Sequence, residues 1–442
     1  MTTTDSGASP AIPANASCQP GRKYQVERRF FADEDVFLRE LDKVFFHSWL
    51  FVAHESEIPE PGDYVTRKMG KDEVIVSRDE SGELHVLLNS CTHRGTLLCK
   101  ADVGNSALFR CGYHGWMFSN TGELRGVPRI RDLWGPDFDK GALSLRSARV
   151  ASFCGLVFAT FDEDLCSLDD YLGDMRFYLE CMLKVSPRGN DTPHGPYRFE
   201  HVGNWKIEAD NFVGDGYHLQ HAHRAGFEMK LMGTQSGQVE GVCIQFDHGH
   251  ALRAQRSVAT ESNPQFAGYP PERWDEIKQM LSADQVEMFS HSSVIHGVIF
   301  PNLAFLHTPR AGGFDPGEPE AAMLQLRLMT PTAADRTEEL SWLVTPADYD
   351  WEWKESAFKT MQRQHGATAF FESDDLENFR RMTQAGTGVV AHRDIPSVFD
   401  LALSHEPFKP WFAGPGHIVG SDLSEVNQRW FYSRYLELIG EE

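Results

Sequence analysis

No apolar run in these 442 residues approaches the ~18 consecutive positions that a membrane-spanning helix needs. Positive charge is also scarce. Lys and Arg number 42 against 64 Asp and Glu, a formal net charge of -22, and such a chain repels nucleic acid and anionic membrane surfaces. Eight Cys are thinly spread, which argues against a disulfide framework and for reduced thiols. Met1 to Pro20, rich in Ser, Thr, Ala and Pro, has neither the basic start nor the apolar run of an export signal. A mobile N-terminal tail and a cytoplasmic location are therefore expected. There is no internal repeat. What remains is ordinary for a globular protein: 41% hydrophobic residues and enough length for two or three domains.

Against that background, chemistry-bearing residues are concentrated in two places. Asn211-Phe-Val-Gly-Asp215-Gly-Tyr-His218-Leu-Gln-His221-Ala-His223 sets one carboxylate beside three imidazoles. Neutral imidazole is the commonest protein ligand for a transition metal, and a nearby carboxylate can ligate it or orient it. The pattern alone does not choose among iron, zinc and other metals. Upstream lie Cys91-Thr-His93-Arg-Gly95 and Cys111-Gly-Tyr-His114-Gly-Trp116. Paired Cys/His loops, expected at the tips of two hairpins, suit a zinc site with two Cys and two His. They also suit a [2Fe–2S] centre with thiolates on one iron and imidazoles on the other. Zinc fingers pair Cys with Cys and His with His, so a His two or three residues after each Cys favours the iron–sulfur centre. Cys99, between the halves, reads as a packed thiol.

The rest of the chain sorts by periodicity. Phe37, Leu41, Val44 and Phe45 predict a helix from about Asp33 to His47. Short apolar runs follow, among them Val74 to Ser77 and His85 to Leu88, with a hairpin junction at Asp79 to Gly82. They predict a small all-β domain over 49–162. Leu168, Tyr171, Leu172, Met175, Leu179 and Met182 predict one amphipathic helix capped by Ser167, opening a second domain over 163–442. Strands are expected at Gly297 to Phe300, Met323 to Leu328 and Leu340 to Val344, with a loop around Gly312-Gly313 and Pro316-Gly317. The fold class is α+β. An antiparallel sheet flanked by helices forms the larger domain, and residues 1–48 form a tail and a helix packed on it.

Phe371, Asp375, Phe379 and Met382 fall at helical spacing, so Asp375 interrupts an apolar stripe. A buried carboxylate needs something positive opposite it, and a metal ion would serve. Asp374 points about a third of a turn away. On a regular helix His218 and His221 share a face, whereas His218 and His223 diverge unless the helix widens or ends between them.

The two Cys/His loops, followed by Asn211-x-x-x-Asp215-x-x-His218-x-x-x-x-His223, resemble the paired motifs of the large (alpha) subunit of Rieske non-haem iron ring-hydroxylating oxygenases. Glu57-Ile-Pro-Glu-Pro-Gly62 and Ser424-Glu-Val-Asn-Gln-Arg429 extend the likeness over most of the chain. Thr92 departs from the Arg common in that family. The resemblance implies that Cys91, His93, Cys111 and His114 hold the [2Fe–2S] cluster. It selects His218, His223 and Asp375 for a mononuclear Fe(II), leaving His221 as a candidate for orienting a ligand. It makes Asp215 the link from His218 to a neighbouring subunit's cluster, hence a trimer (α3, or α3β3 with a small beta subunit). It also implies dioxygenation of an aromatic substrate to a cis-dihydrodiol, with electrons from NAD(P)H through a reductase, with or without a ferredoxin. A monooxygenase acting on an aromatic acid or an alkylamine is the rival. Asn211, Phe212 and Leu219 are candidates for the substrate pocket. Between Cys91 and Arg131, six bases (Arg94, Lys100, Arg110, Arg125, Arg129, Arg131) face two acids (Asp102, Glu123), a patch suited to steering an acidic electron donor.

Overall fold

Runs of β-branched and aromatic residues, cut by Gly and Asp turns, build two antiparallel sheet systems. The computed structural model describes residues 24–135, 137–229, 239–257, 266–308, 321–402, 410–421 and 423–440. The first twenty residues and the loop at Gly312 to Gly317 lie outside them.

Near the N-terminus the expected helix forms as α1 (Glu34–Glu40), capped by Asp33, but Leu41–Phe45 continue as a π-helical turn. The widened turn keeps Phe37, Val44 and Phe45 all buried. Glu40 is fully buried at this point. Its carboxylate accepts from Lys206 Nζ at 2.5 Å, Trp205 Nε1 at 2.9 Å and Tyr435 Oη at 2.5 Å, so the charge is paired as burial demands.

Ten strands follow: β1 (Leu50–His54), β2 (Asp63–Met69), β3 (Asp72–Arg78), β4 (Leu84–Leu88), β5 (Val103–Asn105), β6 (Leu108–Arg110), β7 (Met117–Ser119), β8 (Leu124–Gly126), β9 (Ser147–Phe153) and β10 (Leu156–Thr160). Seven form one sheet in the order β1-β10-β9-β4-β3-β2-β5, and β6-β7-β8 form a second. The β3–β4 hairpin turns where Asp79 Oδ1 accepts from the N–H of Ser81 and of Glu83.

The single helix expected from Leu168 to Met182 is two, α2 (Leu168–Leu172) and α3 (Met175–Leu183). The break falls at Gly173, whose φ of 48° ends the first helix. Ser167 does cap α2, accepting from Asp170 N–H.

Beyond them β11 (Asn190–Asp191), β12 (Tyr197–Val202), β13 (Val239–Gln245), β14 (Ala251–Ser257), β15 (Val294–Ile299), β16 (Leu303–Thr308), β17 (Met323–Ala333), β18 (Arg336–Pro346) and β19 (His417–Ser421) form a second large sheet. Its order is β11-β18-β17-β16-β15-β14-β13-β19, with β12 also on β18. Helices α4 (Trp205–Gly214), α5 (Leu219–Ala222), α6 (Trp351–His365), α7 (Phe370–Gly386) and α8 (Val426–Ile439) accompany it. Phe51 of β1 meets Trp342 of β18 edge to face at 5.2 Å inside one continuous core, so the two sheet systems share packing.

Candidate metal centres

The two Cys/His loops are near-copies in backbone hydrogen bonding. Cys91 N–H donates to Thr96 O and Gly95 N–H to Cys91 O, at 2.9 and 2.7 Å. Cys111 N–H donates to Trp116 O and Gly115 N–H to Cys111 O, at 2.8 and 3.0 Å. Each loop closes through a left-handed Gly, with φ of 76° at Gly95 and 73° at Gly115, a conformation that Cβ penalises. The second loop is the tip of the β6–β7 hairpin, as expected. The first is not a hairpin tip. It joins β4 to β5, which lie apart in the sheet, and Asn89 pins it. The Asn89 side chain accepts from Leu98 and Cys99 N–H and donates to Cys99 O.

These loops bring His93 and His114 to 4.6 Å between ring centroids. Cys91 and Cys111 are buried beneath them. Burial pushes both thiols up and leaves Cys91 above the usual range, although backbone N–H groups of His93 and Arg94 face its sulfur; at Cys111 the N–H groups of Tyr113 and His114, with the Cys91 side chain, outweigh burial and hold the thiol below it. Trp116 stacks on His93 at 4.8 Å, with Trp134 and Phe138 outside it. No three of these four residues bring ligand atoms within 4.8 Å of one another. A single zinc ion draws its donors closer than that, whereas two irons spread them. His93 Nδ1 is buried without a hydrogen-bond partner, as a free ligand nitrogen would be. Cys99 lies in the same core, its thiol pushed up to about 12 by burial.

At the second centre the helical dilemma is resolved by a break. Helix α4 ends at Gly214, with φ of 150°, and Asp215 leaves helical geometry. The one-turn α5 then begins after His218 and ends before His223. The two imidazoles flank a single turn, so five-residue spacing lets them converge. Asp375, from α7, puts Oδ1 at 3.7 Å from His218 Nε2 and 3.5 Å from His223 Nε2. Donors that share an ion at ~2.1 Å stand ~3–3.5 Å apart. Asp374 contacts the other nitrogen, His223 Nδ1, at 3.4 Å. His221 is exposed against Tyr217 and does not join the converging group.

Asp215 holds the turn together. Its Oδ1 accepts from Tyr217 and His218 N–H, at 2.9 and 3.2 Å, and Oδ2 lies 3.3 Å from His218 Nδ1. Burial pushes this carboxyl up, but the contacts with His218 and the backbone N–H groups outweigh it and hold it below the usual range. Asn211 reaches His218 Nε2 at 3.3 Å.

A cavity of about 150 Å³ opens on this group. Phe212, Leu219, Val294, Leu306 and Phe371 give it apolar walls. Polar residues complete it, among them Arg253, His296, Arg327 and His365, which sequence reasoning did not single out, and Glu372, which does not sit on a solvated helix start but is buried in the first turn of α7. Alternation along β14 and β15 was the available signal, but nothing local said which face meets the metal. His296 Nδ1–H donates to Phe212 O at 3.0 Å, so Nε2 accepts from Arg253 Nη1 at 3.1 Å. Arg327 is fully buried over the Phe212 ring, paired with both oxygens of Glu372 and with Glu208 at 3.3 Å and Glu339 at 3.6 Å. Donor atoms of His201, Glu208 and Glu339 also fall within 4.8 Å of one another, but there the guanidinium already supplies the cation.

The geometry has counterparts among known proteins. Residues 48–145 match the Rieske [2Fe-2S] domain, and residues 189–440 match the ring hydroxylating alpha subunit (catalytic domain). The chain belongs to the ring-hydroxylating oxygenase alpha-subunit family. It is an oxidoreductase, and its cofactors are a Rieske [2Fe–2S] cluster and a mononuclear iron. This oxygenase is 32% identical to the N,N-dimethyl phenylurea N-demethylase subunit alpha of Sphingobium sp., over 92% of the chain and 90% of that protein. It is 33% identical to the large oxygenase component of the naphthalene 1,2-dioxygenase system of Pseudomonas aeruginosa, over 91% and 89%. Naphthalene 1,2-dioxygenase from Rhodococcus sp. superimposes with a TM-score of 0.87 at 37% identity, covering 94% of each chain. A quaternary ammonium Rieske monooxygenase shares the fold at 19% identity, with a TM-score of 0.68. Among the described residues no helix is long and apolar enough to cross a membrane.

Proposed function

We propose that this oxygenase adds both atoms of O2 to an aromatic ring, giving a cis-dihydrodiol. The observation that carries the reading is the two-His, one-carboxylate group of His218, His223 and Asp375 on the wall of a ring-sized cavity, in a chain that also carries paired Cys/His loops. Such a triad leaves coordination positions open, and when bound the iron supplies dioxygen activation there. Cys91, His93, Cys111 and His114 hold the cluster. Asp215 orients His218 and carries the coupling to His114 of a neighbouring subunit. Phe212 and Leu219 bind the ring face, and Asn211 sits beside His218.

The organisation we propose is a tail and helix over 1–48, a cluster domain over 49–162 and a catalytic domain over 163–442, assembled as α3 or α3β3 in the cytoplasm. The relatives named as large oxygenase components belong to multicomponent systems. Electrons here come from a ferredoxin or directly from an NAD(P)H-dependent reductase. Arg94, Lys100, Arg110 and Arg131 are exposed to meet an acidic donor, whereas Arg125 and Arg129 are partnered by Glu123 and Asp132.

The demethylase relative supports a second reading, oxygenation of an N-methyl group with one oxygen atom retained. Turnover under labelled O2 decides: two labelled atoms in the product support ring dioxygenation, and one supports demethylation or hydroxylation.

A further inference from the structure

The cavity beside the iron-binding triad is lined mainly by apolar surface, with a few polar groups set into its wall. Ligand sites are mostly apolar, with a few polar groups that fix orientation. His365 is such a group. It ends α6, and its carbonyl is already used, accepting from Tyr197 Oη and Arg327 Nη2. Its imidazole lines the cavity and rests on the Phe371 ring at 5.7 Å. No described residue gives that imidazole a hydrogen bond. Phe371 in turn meets the His223 ring edge to face at 5.1 Å. One aromatic ring therefore separates His365 from the metal-binding triad.

The surroundings favour a donor role for this imidazole. Burial first, and then the nearby Arg327 guanidinium, disfavour protonation of His365 and leave one N–H to offer. Arg253 lines the same cavity and donates to the uncharged Nε2 of His296. Arg253 favours an electron-rich oxygen over a bare C–H edge, whereas the charge of Arg327 is already met by Glu208, Glu339 and Glu372. Phe212, Leu219 and Leu306 provide apolar surface for the ring itself.

We infer that His365 anchors the substrate, and that the substrate is an arene carrying an oxygen-acceptor substituent, a carboxylate or a carbonyl, rather than a plain hydrocarbon. The inference rests on the ring-oxygenase reading and narrows it. A site built around a hydrogen bond discriminates strongly against analogues that lack it.

Calorimetric titration of the reduced holoenzyme under argon tests this, with toluene, acetophenone and benzoate. The two-ring set 2-methylnaphthalene, 2-acetylnaphthalene and 2-naphthoate covers a larger substrate. The acceptor-bearing members of at least one set should bind at least tenfold tighter than the methyl member. His365→Phe should erase that preference, and His365→Gln, which keeps a donor, should retain most of it. Methyl arenes binding as tightly as the acceptor-bearing ones, or a preference that survives His365→Phe, overturns the proposal. Product analysis separates the two readings. Efficient dihydroxylation of the methyl arenes with no His365 dependence leaves ring oxygenation standing and removes the anchor. His365-dependent binding without oxygenation keeps the anchor and removes the ring-oxygenase reading.

Discussion

On the proposed ligand set, adjacent carboxylates on one helix differ in role because each meets a different nitrogen of the same imidazole. Asp375 faces Nε2 of both His218 and His223, while Asp374 faces only Nδ1 of His223. Asp375→Ala should lose the mononuclear iron and turnover, with the Rieske visible spectrum intact. Asp374→Asn should keep the iron and lose ~10–100-fold in iron affinity or activity, the usual cost of disturbing a ligand's orientation. Iron quantification beside the visible spectrum checks both, and the reverse outcome would mean the ligand was assigned to the wrong residue. Asp215→Asn should keep both metals while slowing cluster reoxidation. Stopped-flow absorbance with substrate and oxygen reads that rate, and a wild-type value would remove Asp215 from the electron path.

Elements place these residues through their irregularities. Gly115 and Gly95 both have left-handed φ, so Ala at either costs ~1–2 kcal/mol. The surroundings differ: a Cβ at Gly115 meets Pro128 Cγ at 3.2 Å, whereas at Gly95 the nearest atom is 3.8 Å away. Gly115→Ala should therefore lower the thermal midpoint and cluster occupancy more than Gly95→Ala, read by melting and by absorbance per chain. These irregularities also mark how far the sequence could be read. The Cys/His loops were legible because their donors are two or three residues apart. The caps at Asp33 and Ser167 were legible because capping is local. Gly173 was missed because an apolar stripe runs through it unbroken. The hairpin expected at Cys91 failed because β5 pairs with β2, a choice made by the sheet. Arg253 and His365 reach the cavity from elements more than a hundred residues apart, and no local pattern encodes that meeting.

For the molecule as a whole, acid is the stress to test. Burial pushes His54 down to about 4, and His250 and His307 to about 3. These side chains stay neutral when folded but take up protons below about 6.5 when unfolded. The unfolded state thus binds more protons, and stability falls as pH drops from 6.5 toward 4. At pH 5 the loss is roughly 2 kcal/mol for each histidine. His307 sits between the Tyr269 and Phe289 rings with both nitrogens buried and unpartnered. His307→Phe should keep the packing and flatten the decline of melting temperature between pH 6.5 and 5 by one histidine's share. An unchanged slope would mean that His307 is hydrated in the native state.

The one-turn helix between His218 and His223 has a kinetic consequence. On the proposed ligand set, two donors form a small local chelate, while the third arrives on a helix about 150 residues later in the chain. Until α7 docks, only His218 and His223 would be in place to hold an iron, so the docked helix would act as the latch of the site and its contact lifetime would set how long the metal stays.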